Sequence, residues 1–142
     1  MIIPDLNLLV YAYNEDAPGH SASKAWWERS LSETRPVGIP WVVLLGFVRL
    51  MSNRRVLVEP MPADEALGHC RAWLERPNAR ILLPGPGHLD LLTHLLQAAS
   101  AGADLTADAH LAALAIEHQA EVHSNDSDFA RFPGLRWRNP IA

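Results

Sequence analysis

The sequence has one cysteine, Cys70, and one lysine, Lys24, among its 142 residues. A lone cysteine excludes an intrachain disulfide, and a reducing cytosol suits such a chain. Cys70 itself reads as a small buried hydrophobe. No apolar run reaches the roughly 18 residues of a membrane span. The opening residues MIIPD lack a basic stretch followed by a long apolar one, so no secretory leader is expected and the cytoplasm is the expected location. Nucleotide-binding signatures of the GxxxxGK[ST] and GxGxxG kinds are missing, and so is the GxSxG elbow of serine hydrolases. The seven histidines form neither an HExxH pair nor a Cys/His zinc spacing. Receiver-type or aspartyl-phosphate chemistry needs a lysine near its carboxylates, and Lys24 lies on an early helix.

What is present is a core. Hydrophobic residues make up 49% of the chain, which excludes disorder, and the length suffices for one domain, residues 1–142. The net charge of −4 argues against a generic nucleic-acid coat. It leaves room for an acidic site with local basic rims. Eleven of the twelve basic residues are arginine, the better bidentate phosphate ligand. Genomic composition is the simpler reason for that bias.

Met1–Pro4 reads as a buried strand ending at Asp5. Asn7 is placed to cap a short helix, Leu8–Tyr13, and NEDAPGH is a turn-rich loop. A helix from Ser21 to about Ser32 sets Ala25, Trp26, Arg29 and Ser30 at helical spacing. Val37–Pro40 is a second brief strand. Pro40 opens an apolar helix, WVVLLGFVRLMSN, since proline is tolerated at a helix start. Gly46 in its middle costs about 1 kcal/mol relative to alanine. Further helices are expected from Pro62 to about Glu75 and over His88–Gly102, the latter with Leu91, Leu92, Leu95 and Leu96 inward. Between them Ala79–Leu83 forms a strand, and Leu135–Trp137 is the last. Short apolar strands alternating with helices imply an α/β fold with a mainly parallel sheet flanked by helices on both faces.

The stretch DLTADAHLAALAIEHQAEVHSNDSDFARF, from Asp104 to Phe132, organises the rest. Thr106 is read as an N-cap and Asp108 falls in the first turn, where a carboxylate meets the positive helix end. Leu111, Leu114, Ala115 and Ile116 give the helix its apolar stripe. About a dozen helical residues rise roughly 18 Å, and a strand of about five, Glu121–Ser124, returns roughly 16 Å. The helix start and the strand end therefore share one edge. Asp108 and Asp126 should meet there, with Asp128 as a further candidate. Ligands of open α/β sheets bind outside the carboxyl ends of the strands, where Asp5 also falls. Carboxylates gathered in this way repel each other unless cations sit among them. An oxygen-only set suits Mg²⁺ or Mn²⁺ rather than zinc. His110, His118 and His123 flank the stretch and read as surface or helix-end residues. The Trp26/Trp27 pair and the helix Trp41–Met51 read mostly as core, with a partner surface as the other reading.

Three segments, MIIPDLNLLVYAYN, IPWVVLLGFVRLMSN and TADAHLAALAIEHQAEVHSNDSDFARFPGLRW, resemble a PIN-domain ribonuclease. More narrowly, the chain is similar to the VapC-like toxin of a bacterial toxin–antitoxin pair. The resemblance implies Mg²⁺- or Mn²⁺-dependent endonucleolytic hydrolysis of RNA leaving a 5′-phosphate and a 3′-hydroxyl, a homodimer, and a cognate VapB-like antitoxin that blocks the site. Carried over by position, Asp5, Asp108 and Asp126 match metal ligands and Asp128 the acid that accompanies them. Asn7 and Ser124 match polar positions that support the site. Arg49, Arg54 and Arg55 are candidates for RNA phosphates, or else solvated arginines at a helix end. The departure is Gly46, near where such proteins usually carry a glutamate. No acid lies between Glu33 and Glu59. Two readings follow: an active ribonuclease in which Asp104 or Glu15 makes up part of the loss, and a weakened PIN fold that binds RNA or a partner without cutting. Retention of the four aspartates favours the first.

Overall fold

In the computed structural model, which describes residues 1–100 and 102–142, five strands form one sheet in the order β3-β2-β1-β4-β5. The strands are β1 (Ile2–Pro4), β2 (Val37–Pro40), β3 (Ala79–Leu82), β4 (Glu121–His123) and β5 (Arg136–Arg138), and every pairing is parallel. Each residue of β1 and β2 is buried, so the middle of the sheet is covered on both faces, as a parallel sheet requires. The edge strands β3 and β5 are largely exposed.

The helices are α1 (Leu6–Tyr13), α2 (His20–Ser32), α3 (Trp41–Met51), α4 (Ala63–Leu74), α5 (His88–Ala98) and α6 (Thr106–His118). The order of elements is the expected one, and several details differ. α1 begins two residues earlier than expected, so Asp5 rather than Asn7 occupies its cap position. A 3-10 turn, Ala103–Leu105, runs into α6, which moves the cap position from Thr106 to Leu105. The inward face of α2 is Ser23, Trp26, Trp27 and Ser30, leaving Ala25 and Arg29 exposed. α5 stops at Ala98 with only Leu95 fully buried, and Leu91, Leu92 and Leu96 pack partly against the core. The expected continuation to Gly102 crosses Ala101, which lies outside the described residues.

Aromatic rings fill the space around α1, α2, α3 and α4. Phe47 and Trp73 meet edge-on at 4.7 Å, Trp27 and Trp73 at 5.4 Å, the offset geometry that ring quadrupoles favour. The Trp73 indole N–H donates to the Tyr13 hydroxyl at 2.8 Å. α6 buries Ala109, Leu111, Ala112, Ala113, Leu114 and Ala115, a wider apolar face than the stripe read from the sequence. Its alanines let the helix lie close against neighbouring elements. Gln119 then ends it in the left-handed conformation, φ 54°, and β4 starts two residues on.

His123 is a correction. It is buried at 6% exposure, not a surface residue. The Trp26 indole N–H donates to its Nδ1 at 3.0 Å, and its Nε2 lies 2.8 Å from a Glu121 oxygen. Glu121 in turn meets Arg35 at 3.5 Å. These contacts fix a neutral ring with its proton on Nε2. Burial holds the His123 pKa below its ordinary value, outweighing the opposing pull of Glu121.

A histidine kept neutral in the fold accepts a proton more readily when unfolded. Its contribution is therefore complete above about pH 6.5 and is lost as the pH falls from there toward the lowered folded value. Trp26→Phe should cost about 1–3 kcal/mol at pH 8 by leaving Nδ1 unpaired. It should also flatten this part of the pH dependence, because a protonated Nδ1 no longer opposes an indole N–H. Urea unfolding of both proteins between pH 5 and pH 8 measures the two effects together.

Candidate metal centre

The strand order places β1 and β4 side by side while their outgoing connections lead to opposite ends of the sheet. This is the topological switch point, where a parallel α/β sheet opens a crevice at its carboxyl edge. Asp5 follows β1 there and Ser124 follows β4.

The local backbone explains how the acids are held. Asp5 is buried at 6% exposure, with extended backbone ahead of α1. Its N–H donates to the His123 carbonyl at 2.9 Å. The hydroxyl of the fully buried Ser124 donates to Asp5 Oδ2 at 2.6 Å and accepts the Asp126 N–H at 2.9 Å. Asp126 Oδ1 accepts the Asp128 N–H at 2.9 Å, capping the 3-10 turn Ser127–Arg131. Trp137 anchors the same turn through an indole N–H donated to the Ser124 carbonyl at 3.0 Å.

Asp108 arrives from the first turn of α6. Carboxylate oxygens of Asp108, Asp126 and Asp128 lie within 4.8 Å of one another, and all three residues are half-buried. Asp5 stands beside this trio and feels it: its pKa is raised, first by burial and then by the Asp126 charge, against the pull of the Ser124 hydrogen bond. The Asp108 pKa is pushed up to about 6 by burial, then by Asp5, Asp126, Asp128 and Asp104. Arg131 Nη1 reaches one Asp128 oxygen at 4.0 Å, while Asp108 and Asp126 have no ion-pair partner among the described residues, so three carboxylates this close form a donor set short of positive charge. The oxygen-only composition fits a hard divalent cation such as Mg²⁺ or Mn²⁺. Asp108, Asp126 and Asp128 would hold it directly, with Asp5 within electrostatic reach.

The family resemblance assigns Asp128 an accompanying role and Asp5 a direct one. The geometry brings Asp128 together with Asp108 and Asp126, and Asp5 stands beside them with its Oδ2 accepting the Ser124 hydroxyl. The Asp-x-Asp spacing was the available signal, since an Asx turn at Asp126 folds the second acid back toward the first. Asn7 is exposed on the first turn of α1 and takes no part in the Ser124–Asp5 bond. Arg49, Arg54 and Arg55 are exposed at and beyond the end of α3, and among the described residues none of them makes an ion pair. Asp104 contributes charge at Asp108. Glu15 instead lines a separate cavity with Glu59 and Glu65.

Gly46 is buried, and a Cβ built there would lie 2.5 Å from Leu6 Cδ2. The neighbour of Asp5 thus occupies the space of a side chain at position 46. A glutamate at that point would have to displace Leu6.

The PIN domain family model matches residues 2–135. Ribonuclease VapC33 of Mycobacterium tuberculosis is 43% identical over 141 residues, 99% of each chain. Ribonuclease VapC37 of the same organism is 43% identical over 142 residues, 100% of this chain and 99% of that one. In structure, VapBC-1 from nontypeable Haemophilus influenzae superposes with a TM-score of 0.70 at 14% identity over the whole of both chains. Mycobacterium tuberculosis VapC20, described as a Sarcin-Ricin loop cleaving toxin, gives 0.65 at 20% identity, covering 96% of this chain and 99% of that one.

A carboxyl with its pKa raised to about 6 must lose its proton to bind a cation. Mn²⁺ binding should therefore release protons and weaken as the pH falls through 6, which calorimetry in buffers of different ionisation enthalpy reads directly. In metal-free protein Asp108→Asn should raise the melting temperature at pH 7.5, by removing one of the repelling charges, and should abolish Mn²⁺ binding.

Proposed function

The chain belongs to the PIN-domain family, and from that premise we propose that it is a metal-dependent endoribonuclease, the toxin of a toxin–antitoxin pair. The observation that carries this reading is the trio Asp108, Asp126 and Asp128 at the switch point, with oxygens within 4.8 Å and a raised Asp108 pKa. Full-length identity of 43% to proteins named as VapC ribonucleases supports the substrate class.

A bound Mg²⁺ or Mn²⁺ supplies Lewis-acid stabilisation of the phosphodiester and a lowered pKa for water. The chain's own part is to hold and orient. Ser124 fixes the Asp5 carboxylate and the Asp126 backbone with one hydroxyl. Asp5, buried behind the trio, keeps negative potential on the site. Hydrolysis adds water at phosphorus and breaks the bond to the 3′ oxygen, so one strand end carries a 5′-phosphate and the other a 3′-hydroxyl. No side-chain nucleophile is required. Arg49, Arg54 and Arg55, exposed at and beyond the end of α3, are candidates for more distant RNA phosphates.

The same reading includes a VapB-like antitoxin and a homodimer as partners. Two of the similar solved structures are VapBC assemblies described with DNA. On this chain Trp41, Val42 and Leu45 of α3, with Leu67 of α4, are exposed apolar residues suited to a protein partner. No helix among the described residues is long and apolar enough to cross a membrane.

Purified protein freed of antitoxin should cut a tRNA and rRNA pool at discrete positions with Mg²⁺ or Mn²⁺, and EDTA should stop it. Asp126→Asn should lower the rate by more than about 100-fold. Ser124→Ala should weaken metal affinity by about 10- to 100-fold, as loss of a group behind the ligands does. Intact RNA under all conditions would contradict the reading.

A further inference from the structure

Away from the carboxylates, three polar side chains join the start of α5 to α6. His88 Nε2 lies 2.8 Å from His110 Nδ1. The other nitrogen of His88, Nδ1, meets a Glu117 oxygen. The second Glu117 oxygen accepts the Gly85 N–H at 2.7 Å. The side chains of His88 and Glu117 are only 13% and 17% exposed. Gly85 is part of the construction, because a Cβ there would come within 2.6 Å of the same Glu117 oxygen. The rings of His88 and His110 stand nearly perpendicular, with centroids 4.8 Å apart.

We propose that His88 and His110 form a binding site for a transition-metal ion of the Zn²⁺ class, with Glu117 orienting His88 from behind. Three observations support it. His88 Nδ1 faces the acceptor Glu117, and in the neutral ring that hydrogen bond would place the proton on Nδ1 and the Nε2 lone pair toward His110. A carboxylate behind an imidazole in this way is the arrangement that fixes the tautomer of metal-binding histidines and raises their basicity. The carboxylate is itself held by a backbone amide, so the pair is set before any ion arrives. Two imidazole nitrogens select Zn²⁺, Ni²⁺, Cu²⁺ or Co²⁺ over Mg²⁺, so this site and the carboxylate centre divide the available ions by hardness.

The step required is small. Zn–N bonds of about 2.05 Å at a tetrahedral angle put two ligating nitrogens about 3.3 Å apart. The rings need to part by roughly half an ångström and each to tilt by about 35°, so that both nitrogen lone pairs meet at the ion. The proton now shared between them moves to His110 Nε2, so both rings stay neutral and the metal replaces one hydrogen bond with two coordinate bonds. Water would complete the coordination. Because α6 also carries Asp108, the ion would pin the helix that supplies the carboxylate centre.

The test is Zn²⁺ titration of the full chain in excess Mg²⁺, which occupies the carboxylates, followed by calorimetry and by long-range ¹H–¹⁵N spectra of the histidine rings. The expected result is one equivalent of Zn²⁺, with shifts at His88 Nε2 and His110 Nδ1. Affinity should fall more than about tenfold in His88→Gln and in His110→Gln, and to a smaller degree in Glu117→Gln. Mg²⁺ alone should leave the ring nitrogens unmoved. The ring spectra of the wild-type protein decide the matter even where a variant folds poorly. Absence of Zn²⁺ binding, unmoved ring nitrogens, or binding lost in Asp108→Asn but kept in both histidine variants would overturn the proposal.

Discussion

The hydroxyl of Ser124 connects the two ends of this chain. It donates to Asp5, which follows the first strand, and accepts from the backbone of Asp126, which follows the fourth, a link spanning 119 residues. The Asp126 contact is local, and the Asp5 contact depends on the parallel pairing of β1 with β4, which registers Pro4 against His123. The carboxylate centre is therefore a property of the sheet. Asp5 and Asp126 are close because adjacent strands end there and one buried hydroxyl serves both, and α6 brings Asp108 to the same edge. The unfavourable consequence is visible in Asp108, whose pKa rises to about 6 under burial and four neighbouring charges. A cluster of this kind keeps its shape through the scaffold, and a cation relieves the repulsion that the scaffold tolerates.

Much of this was legible before any coordinates. Strand and helix order followed from short apolar runs separated by helical periodicity. The meeting of Asp108 with Asp126 followed from comparing the rise of a helix with that of the returning strand. Other features were not legible. The switch from Asn7 to Asp5 as the α1 cap depends on where β1 lets go of the sheet, which is a tertiary matter. The burial of His123 needed the position of Trp26, 97 residues away. The Glu117–His88–His110 chain also joins distant elements, and a histidine after PGPG gives no local hint of it.

Gly46 illustrates how a single position can mislead when read alone. From the sequence it looks like a lost acid and a weak point in a helix. In the fold it is the notch that receives Leu6, directly beside Asp5. Glycine and leucine at these positions form one packing unit, and the carboxylate centre is completed by Asp126 and Asp128 in the turn after β4 rather than from α3. The absence of a side chain at position 46 is thus matched by Leu6, whose side chain fills the space one would take.

On the proposed function, Asp108, Asp126 and Asp128 together hold a divalent cation at the switch point of the sheet. Anomalous diffraction from a crystal equilibrated with Mn²⁺ tests this most directly. A Mn²⁺ peak is expected among those three carboxylates, with Asp5 still bonded to Ser124. A peak at another site, or none at the carboxylates at saturating Mn²⁺, would contradict it.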